Sequence, residues 1–239
     1  VELKGKHGTF EILGVPKAVI DAFSQRREAI LEKAAALGIV SAKGRDGVPL
    51  ERDEALQLVR LDLESRETYA LMEAANHLSR ATFGDKGEMH FHIGLNVEPC
   101  PMDCAFCSLT RRAGLFTEAI EFPEADILAW ARQGADQGAD ALNLMTTGSY
   151  PLSRLLEVGR WLRREVAVPL VANTRDLNHA EAEQLLAAGF VGCYHAVRLG
   201  EGTDTPFRPE RRIQTIRVLR EVGLQWTNCV EPVGPEHSA

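Results

Sequence analysis

Positive charge is in short supply in this sequence: 27 Lys and Arg stand against 34 Asp and Glu, a formal net charge of −7 at pH 7. That balance gives no general reason to expect nucleic-acid binding. Long apolar runs are missing too. No stretch reaches the roughly 18 apolar residues that a bilayer span needs, and no signal-peptide pattern opens the chain. The expectation is a cytoplasmic protein with no membrane partner. Cysteine is scarce, five in 239 residues, and three of the five fall between positions 100 and 107. So uneven a distribution argues against a disulfide framework and for a metal site in a reducing compartment.

At about 150 residues per domain, the length allows one large domain or one domain with an appendage. The chain divides near residue 48. Residues 1–48 carry a short apolar patch, Phe10 to Val15, and a helix expected after Pro16. Val19, Ile20, Phe23, Ile30 and Leu31 form the apolar face of that helix. A Gly-rich, charged linker follows over 41–49.

Residues 49–239 form the second domain. It opens with one or two amphipathic helices over 51–83, with Ala55, Leu58, Val59, Leu71, Ala74, Ala75 and Leu78 at helical spacing. From Met89 to Val97 the pattern changes to strict alternation. Met89, Phe91, Ile93, Leu95 and Val97 share one face and His90, His92, Gly94 and Asn96 the other, which is a strand by its period of two. Helices are then predicted over 124–137, 152–165, 179–187 and 209–222, and strands over 140–146, 168–173, 191–197 and 224–231. Gly138, Pro169, Gly189 and Gly223 punctuate the turns. This alternation implies βαβ units, a parallel sheet and right-handed crossovers. Five strands do not close an eight-stranded barrel. The expected fold class is therefore α/β: a partial or truncated (β/α) TIM-like barrel with parallel strands, preceded by an N-terminal helical segment, as in a fragment of a longer protein.

The first of these strands runs into EPCPMDCAFCSLTRR, from Glu98 to Arg112. Three thiolates, Cys100, Cys104 and Cys107, can converge on one cubane if the backbone wraps it. They serve three irons of a 4Fe-4S cluster and leave the fourth without a protein ligand. An open iron can chelate a small molecule and pass it an electron. The loop also leaves the C-terminal end of its strand, the face on which α/β barrels place their chemistry. Two other readings stand beside this one. A structural zinc site would take a fourth ligand from His90, His92 or a distant Cys. A non-enzymatic iron–sulfur module for electron transfer or redox sensing would need the cluster, but not the polar strand ends that follow it.

The loop resembles the radical S-adenosylmethionine (SAM) superfamily, whose pattern is CxxxCxΦC with Φ aromatic; Phe106 stands at Φ. The resemblance covers about residues 50–239. Within the superfamily it is similar to the branch of biotin synthase, methylornithine synthase and the SAM-dependent iron-only hydrogenase maturase. A helical segment precedes the first strand, Arg208 to Ile216 resembles that branch's helix after strand four, and Val230 to Ser238 resembles its strand-five motif, where a Gly-containing turn borders SAM. The resemblance implies a 4Fe-4S cluster and S-adenosyl-L-methionine as cofactors. It implies reductive cleavage of the C5′–S bond to a 5′-deoxyadenosyl radical, which abstracts a hydrogen from a small-molecule substrate. The implied redox partner is a reductant such as flavodoxin or ferredoxin.

It also implies roles for single residues. Cys100, Cys104 and Cys107 would be the metal ligands, and Phe106, Thr147, Gly148, Ser149, Arg198, Glu201 and Val230 the cofactor-binding residues. At the end of strand two the superfamily often carries a Gly-Gly-Glu-like turn that holds the SAM ammonium. Here Thr147, Gly148 and Ser149 occupy it, so the acidic residue is missing; an ordinary βα turn would look the same. At the end of strand four, Arg198 would pair with the SAM carboxylate and Glu201 with the ammonium, one residue further apart than the usual Arg-x-Glu; a surface ion pair is the plain alternative. Asn173, Thr174, Arg175 and Asp176 end strand three at the edge where substrate is expected; the same types are common in any βα loop. His90 and His92 face the cavity as substrate or proton-transfer groups, or are satisfied core histidines. Cys193 and Cys229 read as small core residues. Glu231, an inward carboxylate, calls for a partner.

The appendage has a second resemblance. Residues 8–31 are similar to a stretch of plasmid conjugative relaxases. None of a relaxase's catalytic tyrosines or its metal-binding histidine cluster is present, so the resemblance implies no activity. The physical reading of the segment is an amphipathic helix that docks on another surface.

Overall fold

The computed structural model describes residues 2–5, 8–11, 35–40, 43, 46–227 and 231–234. Two compact units emerge, one up to Gly87 and one from Glu88 onward. The helices of 51–83, grouped above with the barrel, make their contacts in the first unit.

In the first unit, β1 (Glu2–Gly5) and β2 (Gly8–Glu11) pair antiparallel, with Glu2 opposite Glu11. The helix expected after Pro16 lies outside the described residues. Two helices occupy 51–83, α1 (Arg52–Val59) and α2 (Arg66–Phe83). They are separate because Asp62 and Ser65 satisfy the backbone of the break. Glu64 N–H donates to Asp62 Oδ1, and Ser65 Oγ accepts from the Thr68 N–H, capping α2. Gly84, at φ 60°, ends α2 in the left-handed conformation that glycine adopts without strain. Ala36, Val40, Leu58 and Ala74 form a small core of their own.

The second unit is a five-stranded parallel sheet with strands in the order β3 (His90–Gly94), β6 (Ala141–Met145), β7 (Leu170–Asn173), β8 (Phe190–Tyr194), β9 (Gln225–Thr227). Four helices fill the connections: α3 (Glu124–Asp136), α4 (Leu152–Glu165), α5 (His179–Ala187) and α6 (Pro209–Glu221). Alternate strand residues, Ile93, Leu142, Leu144, Leu170 and Ala172, pack against Ile127, Leu155, Leu162, Leu185 and Leu219 of the helices. The opposite faces of β3 and β6 carry the polar residues His92 and Asn143. Gly159 lets α4 approach the sheet closely. A Cβ there would stand 2.3 Å from a ring carbon of Phe190, which is itself fully buried. This is the partial (β/α) TIM-like barrel that the strand–helix beat implies.

The single strand expected over 89–97 is broken in two. After Gly94 the chain leaves the sheet, and Asn96–Val97 (β4) pair antiparallel with Ile120–Glu121 (β5). Leu95 links the two arrangements: its N–H donates to the Met145 carbonyl at 2.9 Å, and its own carbonyl accepts from Phe122 N–H at 3.0 Å. Met89, placed on the apolar stripe by its spacing, is 47 % exposed because it precedes the ladder. The fifth strand is described from Gln225 to Thr227; Asn228, Cys229 and Val230 lie outside the described residues.

Candidate functional site: a cysteine loop over a charged cleft

The ladder of β4 with β5 closes the base of a loop that runs from Glu98 to Ala119 and carries all three clustered cysteines. A tripod of contacts on the far side of β5 holds this base. Arg154 of α4 donates to Glu121 at 2.8 Å and Glu124 at 3.1 Å, and Tyr150 Oη donates to Glu121 at 2.9 Å. Burial and the Glu121 carboxylate together push the Tyr150 phenol well above its usual range, so it stays a donor.

Inside the loop the backbone folds back on itself. Cys100 N–H donates to the Leu109 carbonyl at 2.9 Å, and Arg111 N–H to the Cys100 carbonyl at 3.2 Å. Cys107 N–H reaches the Cys104 carbonyl at 3.1 Å. Asp103 takes a left-handed φ of 47°, which Asp tolerates better than most residues. Arg112 fixes it, donating its N–H to the Asp103 carboxylate and its guanidinium to the Asp103 carbonyl. One bond ties the loop to the far side of the sheet: Ala105 N–H donates to the Asp204 carbonyl at 2.7 Å.

The three cysteines open on a cleft of about 240 Å³. All three are free thiols, Cys100 buried and the other two partly buried. Burial, and then the charge of Cys107, raise the Cys104 thiol above its ordinary range, against the opposing pull of Arg198. Among the described residues, no three His, Cys, Asp or Glu side chains crowd around a single ion position. A cubane asks for something different, one thiolate on each of three irons, so its cysteines stand apart. His90 and His92 do not turn toward the cysteines. They line a separate cavity of about 320 Å³ with Glu88 and Asn143. His90 Nε2 sits 3.1 Å from Glu88 and His92 Nε2 3.0 Å from Asn143 Nδ2. The zinc reading thereby loses both of its histidines as a fourth ligand.

The remaining cleft wall comes from the carboxyl ends of the strands, where the sequence pattern placed it. Met145, Thr146, Thr147 and Gly148 come from β6, Asn173 to Arg175 from β7, Arg198 from the end of β8, and Arg212 from α6. Gly148 packs under the cysteine loop; a Cβ there would meet Met102 at 2.6 Å. Phe106 is held by a cation–π contact, with the Arg198 guanidinium 5.7 Å from its ring centroid. Arg198 Nε is buried and makes no hydrogen bond, with Glu231 Oε1 3.5 Å away. Glu231 also accepts from Tyr194 Oη at 2.6 Å. The Arg198 side chain keeps 17 % of its surface exposed and lines the cleft beside three thiols, where a guanidinium fits a ligand that brings a carboxylate.

Glu201 sits behind this wall, its side chain 1 % exposed. It accepts from Arg198 N–H at 3.0 Å and Thr205 Oγ1 at 2.6 Å, and lies 3.7 Å from Arg212. Its carboxylate is spent on the loop after β8, so its geometry is that of a residue positioning Arg198. Arg212 in turn bonds the Ala196 carbonyl at 3.0 Å and Asp176 at 3.1 Å. Burial would raise the Asp176 carboxyl, but His195 and Arg212 outweigh it and hold it low. Asp176 belongs to the polar run expected at the end of strand three, but its meeting with His195 and Arg212 was not legible in the sequence. They come from three elements and meet only through the βα topology.

Glu98 was also missed. Its carboxylate accepts from the hydroxyls of both Thr147 and Ser149, the turn that lacks an acid of its own. The only sequence signal was an acidic residue two positions before the first cysteine.

The fold and cleft together define a class. The chain is a partial barrel of the kind seen in HydG, a maturase of the FeFe-hydrogenase, with a TM-score of 0.69 at 10 % identity over 80 % of this chain and 45 % of that one. Methylornithine synthase (PylB) gives 0.68 at 15 % identity, over 80 % and 58 %. More particular relatives emerge by sequence. The biotin synthase of Geobacter sulfurreducens is 29 % identical over 191 residues, 75 % of this chain and 57 % of that protein. That of Renibacterium salmoninarum is 29 % identical over 190 residues, 74 % and 54 %. The chain thus spans little more than half the length of these relatives. The family model of the TrwC relaxase matches residues 1–81, a longer stretch than the resemblance over 8–31.

Proposed function

We propose that this chain is the radical-forming part of a biotin synthase-like radical SAM enzyme that acts on a small molecule. The single observation that carries the proposal is the cysteine loop: three free thiols open on a cleft walled by the strand ends and the Arg198 guanidinium. Together the 4Fe-4S cluster and S-adenosyl-L-methionine supply a 5′-deoxyadenosyl radical for hydrogen abstraction. The chain's own residues bind and orient. Cys100, Cys104 and Cys107 hold three irons and leave one open. Arg198, kept in place by Glu201, receives the ligand carboxylate. Phe106, under the Arg198 guanidinium, lines the cleft with Thr147 and Gly148; Ser149 joins this set through its bond to Glu98, and Val230 by resemblance. The matching relatives support this reading. The aligned share of the chain, 75 %, is larger than the sheet unit by itself, so helices outside that unit belong to the match. We assign residues 1–48 to a separate appendage and 49–239 to the radical SAM part.

An electron donor of the flavodoxin or ferredoxin kind is the partner this chemistry requires. The test is anaerobic reconstitution of the protein with iron and sulfide. It should then hold about four irons per chain and, once reduced, convert SAM to 5′-deoxyadenosine. Cluster assembly with no response to SAM would establish instead the electron-transfer or redox-sensing module.

A further inference from the structure

We propose that Glu98 supplies the negative charge missing from the turn after β6 and receives the ammonium group of a zwitterionic ligand, the methionine end of SAM. This rests on the radical SAM reading above and adds to it a residue outside the usual turn.

Glu98 stands between β4 and Cys100, and its neighbours aim it. Asn96, buried, donates from Nδ2 to Thr147 Oγ1 at 2.8 Å, and the Thr147 N–H donates back to Asn96 Oδ1 at 3.1 Å. With the Asn96 amide donating to the Thr147 hydroxyl, the hydroxyl's own proton is directed to Glu98 Oε1. Ser149 Oγ donates to the same oxygen. The two residues that replace an acid at this turn thus serve to hold an acid from elsewhere.

Two neutral hydroxyls orient a carboxylate but do not neutralise it. Among the described residues, no Lys, Arg or His pairs with Glu98. A carboxylate has room for about four hydrogen bonds, so Glu98 keeps acceptor capacity after these two. The far wall has the opposite sign, with the guanidiniums of Arg175, Arg198 and Arg212. Arg175 is bonded to Glu181 at 2.7 Å and Arg212 to Asp176 at 3.1 Å, whereas the ion pairs of Arg198 are longer, Nε 3.5 Å from Glu231 and Nη1 3.9 Å from Glu201. Thr147, whose hydroxyl holds Glu98, lines the cleft itself, so Glu98 stands one side chain behind its β6 edge, with Arg198 on the β8 side; acid at one edge and guanidinium at the other suit a molecule that carries ammonium and carboxylate together. SAM and a free α-amino acid share that chemistry.

The experiment is equilibrium dialysis of the full, anaerobically reconstituted chain with three probes: SAM, a SAM analogue without the α-amino group, and free methionine. Glu98→Gln keeps the size and the oxygen that accepts from the hydroxyls, and removes the charge. It should weaken SAM about tenfold to a hundredfold, as expected for loss of a charge-assisted bond, and leave binding of the deaminated analogue within about twofold. Glu98→Asp should recover part of the loss. Equal weakening of SAM and analogue, or no weakening of either, overturns the role of Glu98; the first result would mark it as a brace for the turn. Glu98-dependent binding of methionine together with Glu98-independent binding of SAM overturns the choice of ligand. A wild-type protein that binds no SAM overturns the reading of the cleft itself, and this assignment with it.

Discussion

His195 shows at the scale of one residue how the barrel top sets the chemistry of a side chain. It is fully buried at the end of β8, with Nε2 3.3 Å from Asp176 Oδ1. Burial lowers its pKa, and the attraction of Asp176 does not restore it. The folded state therefore holds His195 neutral at pH values where the unfolded chain binds a proton. Its contribution to stability is complete above the ordinary histidine pKa of about 6.5 and is lost as pH falls below it. The Asp176 carboxyl, held low, loses its contribution only further down, below the ordinary carboxylate range. Urea unfolding between about pH 7.5 and about pH 5.5 should show a loss of up to about 1.4 kcal/mol per pH unit from this one group. A His195→Gln variant should show a flatter profile; an unchanged slope would remove His195 as its source.

At the scale of elements, the helix–sheet contacts carry the stability and the loops carry the site. The closest approach is α4 on β8, where Gly159 meets Phe190. Gly159→Ala would place a methyl group inside the ring's van der Waals envelope, and a buried aromatic ring has little room to retreat. We expect a loss of about 1–3 kcal/mol, outweighing the few tenths to one kcal/mol that alanine gains in helix propensity. Chemical denaturation of the purified variant checks this; a neutral or stabilising result would show that α4 can shift away from the sheet. The helices themselves were legible because each has a clear period: α4 and α5 begin and end where the apolar spacing puts them. The break of the first strand at Leu95 was not legible. The alternation of 89–97 continues through it, and only the pairing of Asn96–Val97 with Ile120–Glu121 diverts the chain.

At the scale of the whole molecule, the chain divides into two compact units between Gly87 and Glu88. Residues 84–87 at that boundary are exposed throughout. Exposed connections between units are where proteases cut first. Limited trypsin digestion should release a fragment ending at Lys86 and another beginning at Gly87, and mass spectrometry would identify both. Early cleavage within 124–221 would contradict the division. The first unit contains the 1–81 match to the TrwC relaxase, and the second contains the cysteines. No described helix is long and apolar enough to cross a membrane.

By itself the sequence determined what depends on local order along the chain. The period of two and the period of 3.6 set the strand–helix beat, and the spacing of Cys100, Cys104 and Cys107 placed three thiols in one loop, because neighbours in sequence need no fold to be near one another. Only the tertiary structure decided what depends on residues far apart in sequence. It separated His90 and His92 from the cysteines, moved Glu201 behind the wall, joined Asp176, His195 and Arg212 across three elements, and brought Glu98 to Thr147 and Ser149. Some 50 residues of sequence lie between Glu98 and that turn, and parallel pairing of β3 with β6 puts their ends side by side.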